Sequence, residues 1–291
     1  MRRVWCNKPT LRKRVLPLKH GTILAFILVL LSGCQSSTNL NQRVTAGKLS
    51  PPPHLYSPAI IQVFGARTKG AKQALAIHTW ISTKRANAKE YTSYEIIGWR
   101  LRRGPTALVV RQGNPDRDWW GSQPQLLLDK RGEQVEELIN KIEQAVADYP
   151  YKTEYHAWPG PNSNTFTAFI ARAVPELKLD LPSTAIGKDY RDVADVVGMS
   201  PSGQGVQFSL WGLLGVTAGI QEGLELNILG LNFELDVFDL ALELPGVGRL
   251  GFSETDEQEV IAENQRLLDE EKAIANKNKK SEEPIATPPD D

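Results

Sequence analysis

Residues 133–149 carry Val135, Leu138, Ile139, Ile142, Ala145, Val146 and Tyr149 at the i, i+3, i+4, i+7 spacing that sets apolar side chains along one face of an α-helix. Such a helix is marginal alone and needs an apolar surface to lie on. The residues before it supply one. Residues 73–82 (QALAIHTWIS), 94–101 (YEIIGWRL) and 106–111 (TALVVR) read as strands, with 102–105 suited to a turn between the last two, so a β-meander is expected from about Ile60 onward. Pro150 stops the helix. A short strand at 155–158 (YHAW) and a Pro159-Gly160-Pro161 turn follow. Beyond them Phe166, Phe169, Ile170 and Ala173 share one face of a second helix, with Asn162 or Ser163 placed to cap its first turn. The expectation is an α+β fold, an antiparallel sheet with two packed helices, extended by a C-terminal β-hairpin segment.

That segment lies between residues 205 and 252. Leu224, Leu226 and Ile228, then Leu231, Phe233, Leu235 and Val237, alternate with Asn227, Asn232, Glu234 and Asp236, and Gly230 falls where a turn is wanted. The pattern predicts an antiparallel hairpin that buries one face, by the usual rule of apolar side in and polar side out. Residues 210–220 are apolar and Gly-rich and could be core or a patch resting on a bilayer; far short of a span, they read as core. Residues 253–291 are charged and read as a solvated helix with a disordered end.

At the other end, a stretch with seven basic residues (Arg2, Arg3, Lys8, Arg12, Lys13, Arg14, Lys19) and no acid runs into residues 21–31 (GTILAFILVLL). That apolar run is too short to cross a bilayer, which takes about 20 residues, and has the dimensions of a signal-peptide core. Leu31-Ser32-Gly33-Cys34 follows directly and looks like the lipobox at which bacterial lipoproteins are acylated and cleaved. Residues 1–33 are therefore expected to be a lipoprotein signal peptide. The Cys34 thiol would take up a diacylglyceryl group, and two or three acyl chains together hold a protein firmly on a membrane. Gln35 is not the aspartate associated with retention in the inner membrane, which favours the outer membrane and a periplasm-facing body. Residues 34–57, with Pro51, Pro52 and Pro53, read as a flexible tether.

The formal charge of zero hides an asymmetry: removal of those seven bases leaves 27 basic and 34 acidic residues, a balance of −7. Such a surface is unsuited to nucleic acid, whose binding depends on Lys and Arg displacing counterions. Of the two cysteines, Cys6 leaves with the signal peptide, so no intramolecular disulfide, thiol nucleophile or cysteine metal cage is expected once Cys34 is acylated. No phosphate-binding loop, dinucleotide fingerprint or zinc helix is present, and no cofactor or metal is expected. Asp189, Asp192 and Asp195 recur at every third position and read as a solvated helix face rather than a cation site. Trp119 and Trp120 could stack a sugar or lipid headgroup, though buried packing is their commoner use.

The most distinctive string is residues 160–166 (GPNSNTF), which puts the Ser163 hydroxyl at the start of a helix. Unpaired amides there stabilise negative charge, which suits a nucleophile and the oxyanion it generates. The order of a strand-borne histidine in AIHTWIS, a following strand, an amphipathic helix and then NSNTF at a helix start resembles the circularly permuted papain-like superfamily. That superfamily includes permuted NlpC/P60 peptidases, the lecithin-retinol acyltransferase group and the PPPDE group. The resemblance covers about residues 60–174 and implies His78 as general base and Ser163 at the nucleophile position, with Glu95 or His156 orienting the imidazole. Serine stands where the superfamily has cysteine. PGPNSNTF, LPSTAIGKDY and GLLGVTAGIQEGLELNILGL further resemble an uncharacterised bacterial lipoprotein family, domain of unknown function 3750, over about residues 60–251. The corresponding divisions are a permuted papain-like domain at 58–190 and a β-rich extension at 191–252.

Ser163 also suits helix capping, worth about 1 kcal/mol, and His78 also suits the core of an apolar strand. Two functional classes follow. One is a non-catalytic or accessory envelope lipoprotein binding a peptidoglycan peptide or an acyl lipid; the other is a serine-dependent amidase, acyltransferase or peptidase acting on such molecules. Serine has a far higher pKa than a thiol and needs a stronger base and a full triad, which favours the first.

Overall fold

A computed structural model describes residues 48–70, 75–236, 240–251 and 257–282. The expected signal peptide, Cys34, most of the expected tether, Val237 and the last residues lie outside them. Strands β1 (Ile60–Arg67), β2 (Ile77–Lys84), β3 (Tyr91–Ile96), β4 (Leu108–Gly113) and β5 (Gln125–Arg131) form one antiparallel sheet in the order β4-β3-β2-β1-β5. Helices α1 (Val135–Asp148) and α2 (Ser163–Ala173) cover one face of it. The fold class is α+β, and the first helix falls where its apolar period places it. Ile139 and Ile142 of α1 and Phe166 and Ile170 of α2 are wholly buried against Ile61, Val63 and Ile81 of the sheet. Burial of an isoleucine or phenylalanine side chain contributes roughly 1.5–3 kcal/mol, so this layer holds the domain together.

The other face of the sheet carries a second cluster, with Phe64, Ala66, Trp80, Ile97, Trp119 and Leu126 packed around Leu49. Leu49 belongs to the segment expected to be a free tether, and the structure corrects that expectation for its last ten residues. The Leu49 amide donates to Asp116 Oδ2 (2.8 Å), its carbonyl accepts from Gln62 Nε2 (2.8 Å), and the Tyr91 hydroxyl donates to the Pro51 carbonyl (2.9 Å). The segment has too little apolar surface to order itself; buried polar groups on β1 and β3 and near Asp116 order it instead. The charged C-terminal stretch forms helix α3 (Glu257–Glu282), whose Val260 and Ile261 pack on the same cluster. Residues 155–158 form bends and a loop rather than a strand, with the His156 amide donating to the Pro161 carbonyl (2.8 Å).

The remainder is a seven-stranded antiparallel meander: β6 (Val197–Met199), β7 (Gly205–Leu210), β8 (Leu214–Gly219), β9 (Gly223–Ile228), β10 (Leu231–Asp236), β11 (Ala241–Leu244) and β12 (Gly248–Leu250). The expected hairpin is β9–β10, paired from Leu231↔Ile228 to Leu235↔Leu224, with Gly230 in its turn at φ +76°. Its orientation inverts the apolar-in rule. Glu225, Asn227, Asn232, Glu234 and Asp236 are buried, whereas Leu224, Leu226, Ile228, Phe233 and Leu235 are exposed. The same inversion holds on β7 and β8, where Gln207, Ser209 and Thr217 are buried and Leu210, Leu214 and Val216 are exposed, so residues 210–220 are not core.

The inverted face is polar because what it packs on is polar. Lys188, buried, pairs with Glu225 (2.8 Å) and Glu234 (3.7 Å). The Asp189 carboxylate, also buried, accepts from Gln207 Nε2 (2.6 Å), Asn227 Nδ2 (2.8 Å) and Asn232 Nδ2 (2.6 Å). Arg172 of α2 donates to Gln207 Oε1 (2.7 Å). Asp189 is thus neither solvated nor on a helix, which corrects the reading of the three spaced aspartates; Asp195 pairs with Arg191 (2.8 Å).

Candidate functional site

The site is built where β2 meets the mouth of α2. Alternation along β2 sends Ile77, Thr79 and Ile81 toward the helices and His78 and Trp80 toward the opposite face. Thr79 ties the strand to the helix: its hydroxyl lies 2.9 Å from Thr167 Oγ1 and 3.0 Å from Asn164 Oδ1, and Asn164 Nδ2 donates to the Ile77 carbonyl (3.0 Å). Asn162, not Ser163, is the cap. Its side chain accepts from the amides of Asn164 (2.9 Å) and Thr165 (3.1 Å), while its own amide donates to Thr165 Oγ1 (3.0 Å) in a reciprocal box. Ser163 is therefore left as the first helical residue, its hydroxyl outside the cap.

A cleft of about 320 Å³ opens at this junction, and both His78 and Ser163 line it. Trp99, Trp119, Trp120 and Tyr155 give it aromatic walls. His78 is buried, and Trp119 stacks flat on its ring with centroids 3.7 Å apart and planes 7° from parallel. His78 Nε2 lies 3.0 Å from Glu95 Oε2. The other Glu95 oxygen accepts a short hydrogen bond from Arg117 and faces Arg111 at 3.4 Å. Glu95 is 0% exposed. Burial alone would raise its pKa, but His78, Arg117 and Arg111 outweigh that and hold the carboxylate below its ordinary range. Burial pushes the His78 pKa down more strongly than Glu95 lifts it. The imidazole is neutral at pH 7 and donates from Nε2 to the ionised Glu95, which leaves Nδ1 as its acceptor.

Of the four residues marked in sequence, His78 and Glu95 are joined and Ser163 shares their cleft. His156 does not belong with them. Its side chain is 61% exposed, 3.4 Å from Glu154, and absent from the cleft lining; the partner of the imidazole is Glu95. Arg117 and Arg111 were not foreseen, because no spacing in the sequence links them to residue 95. The two neighbouring tryptophans divide the readings given to them: Trp119 is buried beneath His78, and Trp120 is exposed at the cleft wall. Among the described residues no cluster of His, Cys, Asp and Glu is disposed to hold a metal ion.

Residues 58–190 match a family described as protein of unknown function (DUF3750). This part of the chain is a DUF3750 domain. It runs from just before β1 to Tyr190, so the five-stranded sheet, α1, α2 and the whole cleft lie within the DUF3750 domain and the seven-stranded sheet lies beyond it. The resemblance had been expected to extend to residue 251; the match ends where the polar contacts of Lys188 and Asp189 begin the second sheet. No curated protein and no solved structure matches the chain.

Proposed function

We propose that this is a cell-envelope lipoprotein, held through acylated Cys34 with the outer membrane favoured, whose DUF3750 domain serves as a binding module on a papain-like scaffold. Its cleft takes a peptidoglycan peptide or an acyl lipid between the aromatic walls and the α2 mouth. The observation that carries the non-catalytic reading is the state of Glu95. A carboxylate already engaged by two guanidiniums contributes less to stabilising an imidazolium, and burial lowers the His78 pKa further. A base weakened in this way is poorly matched to a serine, whose proton is much harder to remove than that of a thiol.

A serine-dependent amidase, acyltransferase or peptidase is the second reading. It is favoured by the finding that Asn162 performs the capping, so that helix stability gives no reason for a hydroxyl at residue 163. One experiment separates the two. A fluorophosphonate probe is expected to leave the wild-type chain unlabelled, while a soluble stem peptide or a short acyl amide quenches tryptophan emission in wild type and not in Trp99→Ala. Labelling that disappears in Ser163→Ala would replace the binding module with the hydrolase.

The anchor has its own test. Cys34→Ala is expected to accumulate as an uncleaved precursor that takes up no radiolabelled palmitate; wild-type levels of palmitate in that variant would rule out acylation at Cys34 as the means of attachment.

A further inference from the structure

The seven-stranded sheet presents to the outside a face that a soluble protein would ordinarily bury. Cross-strand register aligns its apolar side chains into rows. Phe208, Val216, Leu226 and Phe233 stand directly opposite one another across β7 to β10. A second row runs from Val206 through Ala218, Leu224, Leu235 and Leu242 to Leu250, across six strands. The charged and amide residues of β7 to β10 all point to the opposite, buried side. With strands about 4.8 Å apart and rising about 3.3 Å per residue, the 34 strand residues of the face cover roughly 540 Å² in plan. The largest apolar patch on an ordinary monomer is about 300–600 Å² and is commonly a contact surface.

The border of the face identifies the occupant. A protein–protein interface surrounds an apolar centre with a polar rim. Here three of the strand connections continue the apolar character outward, with Trp211 between β7 and β8, Leu229 between β9 and β10 at 63% exposure, and Leu240 before β11 at 81%, while the β6–β7 connection at residues 200–204 is polar. A tryptophan at such an edge suits the level of lipid headgroups, where its ring is half apolar and its N–H stays wet. The sheet's internal backbone groups are satisfied by the ladder, so the face can approach hydrocarbon without exposing unpaired amides. The chain between Cys34 and Lys48 reaches at most about 50 Å when fully extended, so an acylated terminus keeps the body within that distance of the bilayer.

We propose that the outer face of β6–β12 lies on the bilayer, with its rows of apolar side chains at the depth of the upper acyl chains and its apolar hairpin tips at the headgroup boundary. The proposal rests on the lipid-anchor reading for the proximity that brings the face to the membrane. It makes the second sheet a docking plate, and the DUF3750 domain a head held at a set angle to the surface.

Photo-crosslinking tests this on the full, exported chain. p-Benzoylphenylalanine is placed at position 216, at position 226, and at position 137 on exposed α1 as a control. Each chain is irradiated in vesicles of phosphatidylethanolamine and phosphatidylglycerol and weighed by mass spectrometry, which also reports the acyl groups on Cys34. Positions 216 and 226 are on the open face, so these substitutions leave the fold intact, as circular dichroism will verify. The expected result is a phospholipid adduct at 216 and 226, at least ten times more abundant than at 137. A crosslinked pair of chains in place of the lipid adduct would assign the face to a second copy and overturn the proposal, as would an acylated chain with no lipid adduct at either position. An unacylated chain that still forms the adducts would leave the sheet proposal standing and remove the anchor reading.

Discussion

Lys188→Met is expected to cost about 3–5 kcal/mol of unfolding free energy, because removing one partner of a buried ion pair strands the others without compensation. The residues stranded are Glu225 and Glu234, both buried beneath the second sheet. Burial is the largest influence on both, raising the Glu225 pKa well above its ordinary value and that of Glu234 to about 7, against the opposing pull of Lys188. In the folded state Glu234 therefore holds a proton that the unfolded chain releases from about pH 4.5. The folded form binds more protons across that window, so stability declines as pH rises from about 4.5 through about 7. Removal of the lysine raises both carboxyl pKa values further, and the variant is expected to lose more stability at pH 8 than at pH 5. Urea denaturation at the two pH values measures this. Equal losses at both would mean that charge on these carboxylates is not what Lys188 compensates.

Glu95→Ala is expected to have a loss of similar size, about 3–5 kcal/mol, for the complementary reason: it leaves Arg117, largely buried, without its carboxylate and His78 without its acceptor. Glu95→Gln keeps the volume and one acceptor and should lose less. The sign of the pH effect is opposite to that at Glu234. The folded Glu95 pKa lies below its ordinary value near 4.5, so its stabilisation is complete above that value and fades as pH falls through the lower folded one. Wild type should lose this contribution on acidification, and Glu95→Gln should show a flatter acid limb in thermal melts monitored by tryptophan emission. Identical acid limbs would mean that the imidazole and the guanidiniums do not hold the carboxylate ionised.

The elements legible in the sequence were those whose own pattern specifies them. The spacing of Ile139, Ile142 and Val146 admits only a helix, and the alternation of Leu224, Leu226 and Ile228 admits only a strand. Alternation sorts residues onto two faces but does not say which face meets protein. The rule that assigns the apolar side inward failed on β9 and β10 because the surface beneath them is Lys188 and Asp189, far away in the sequence from the strands they receive. Strand β5 escaped notice for a related reason: Asp129, Lys130 and Arg131 dilute its apolar pattern, and β1 supplies its order by pairing with it. At the cleft, the types of residue were readable and the partnerships were not. The sequence marked Ser163 and His78 through the strings around them. That Asn162 would take the cap, that Glu95 rather than His156 would meet the imidazole, and that Arg117 would take one of its oxygens depended on contacts made across strands.

The bonds that fasten Leu49 and its neighbours have a mechanical consequence. Lys48 accepts from Asn264 of α3 (2.9 Å), His54 meets Glu271 of the same helix (3.0 Å), and the Leu126 amide of β5 donates to Glu257 (2.6 Å). Under the proposed attachment through residue 34, tension enters the body through a clasp made by its first and last described segments, beside β1 and the edge strand β5. Under that proposal, load on the head meets the clasp and the paired strands β1 and β5 before it reaches β2 and the cleft.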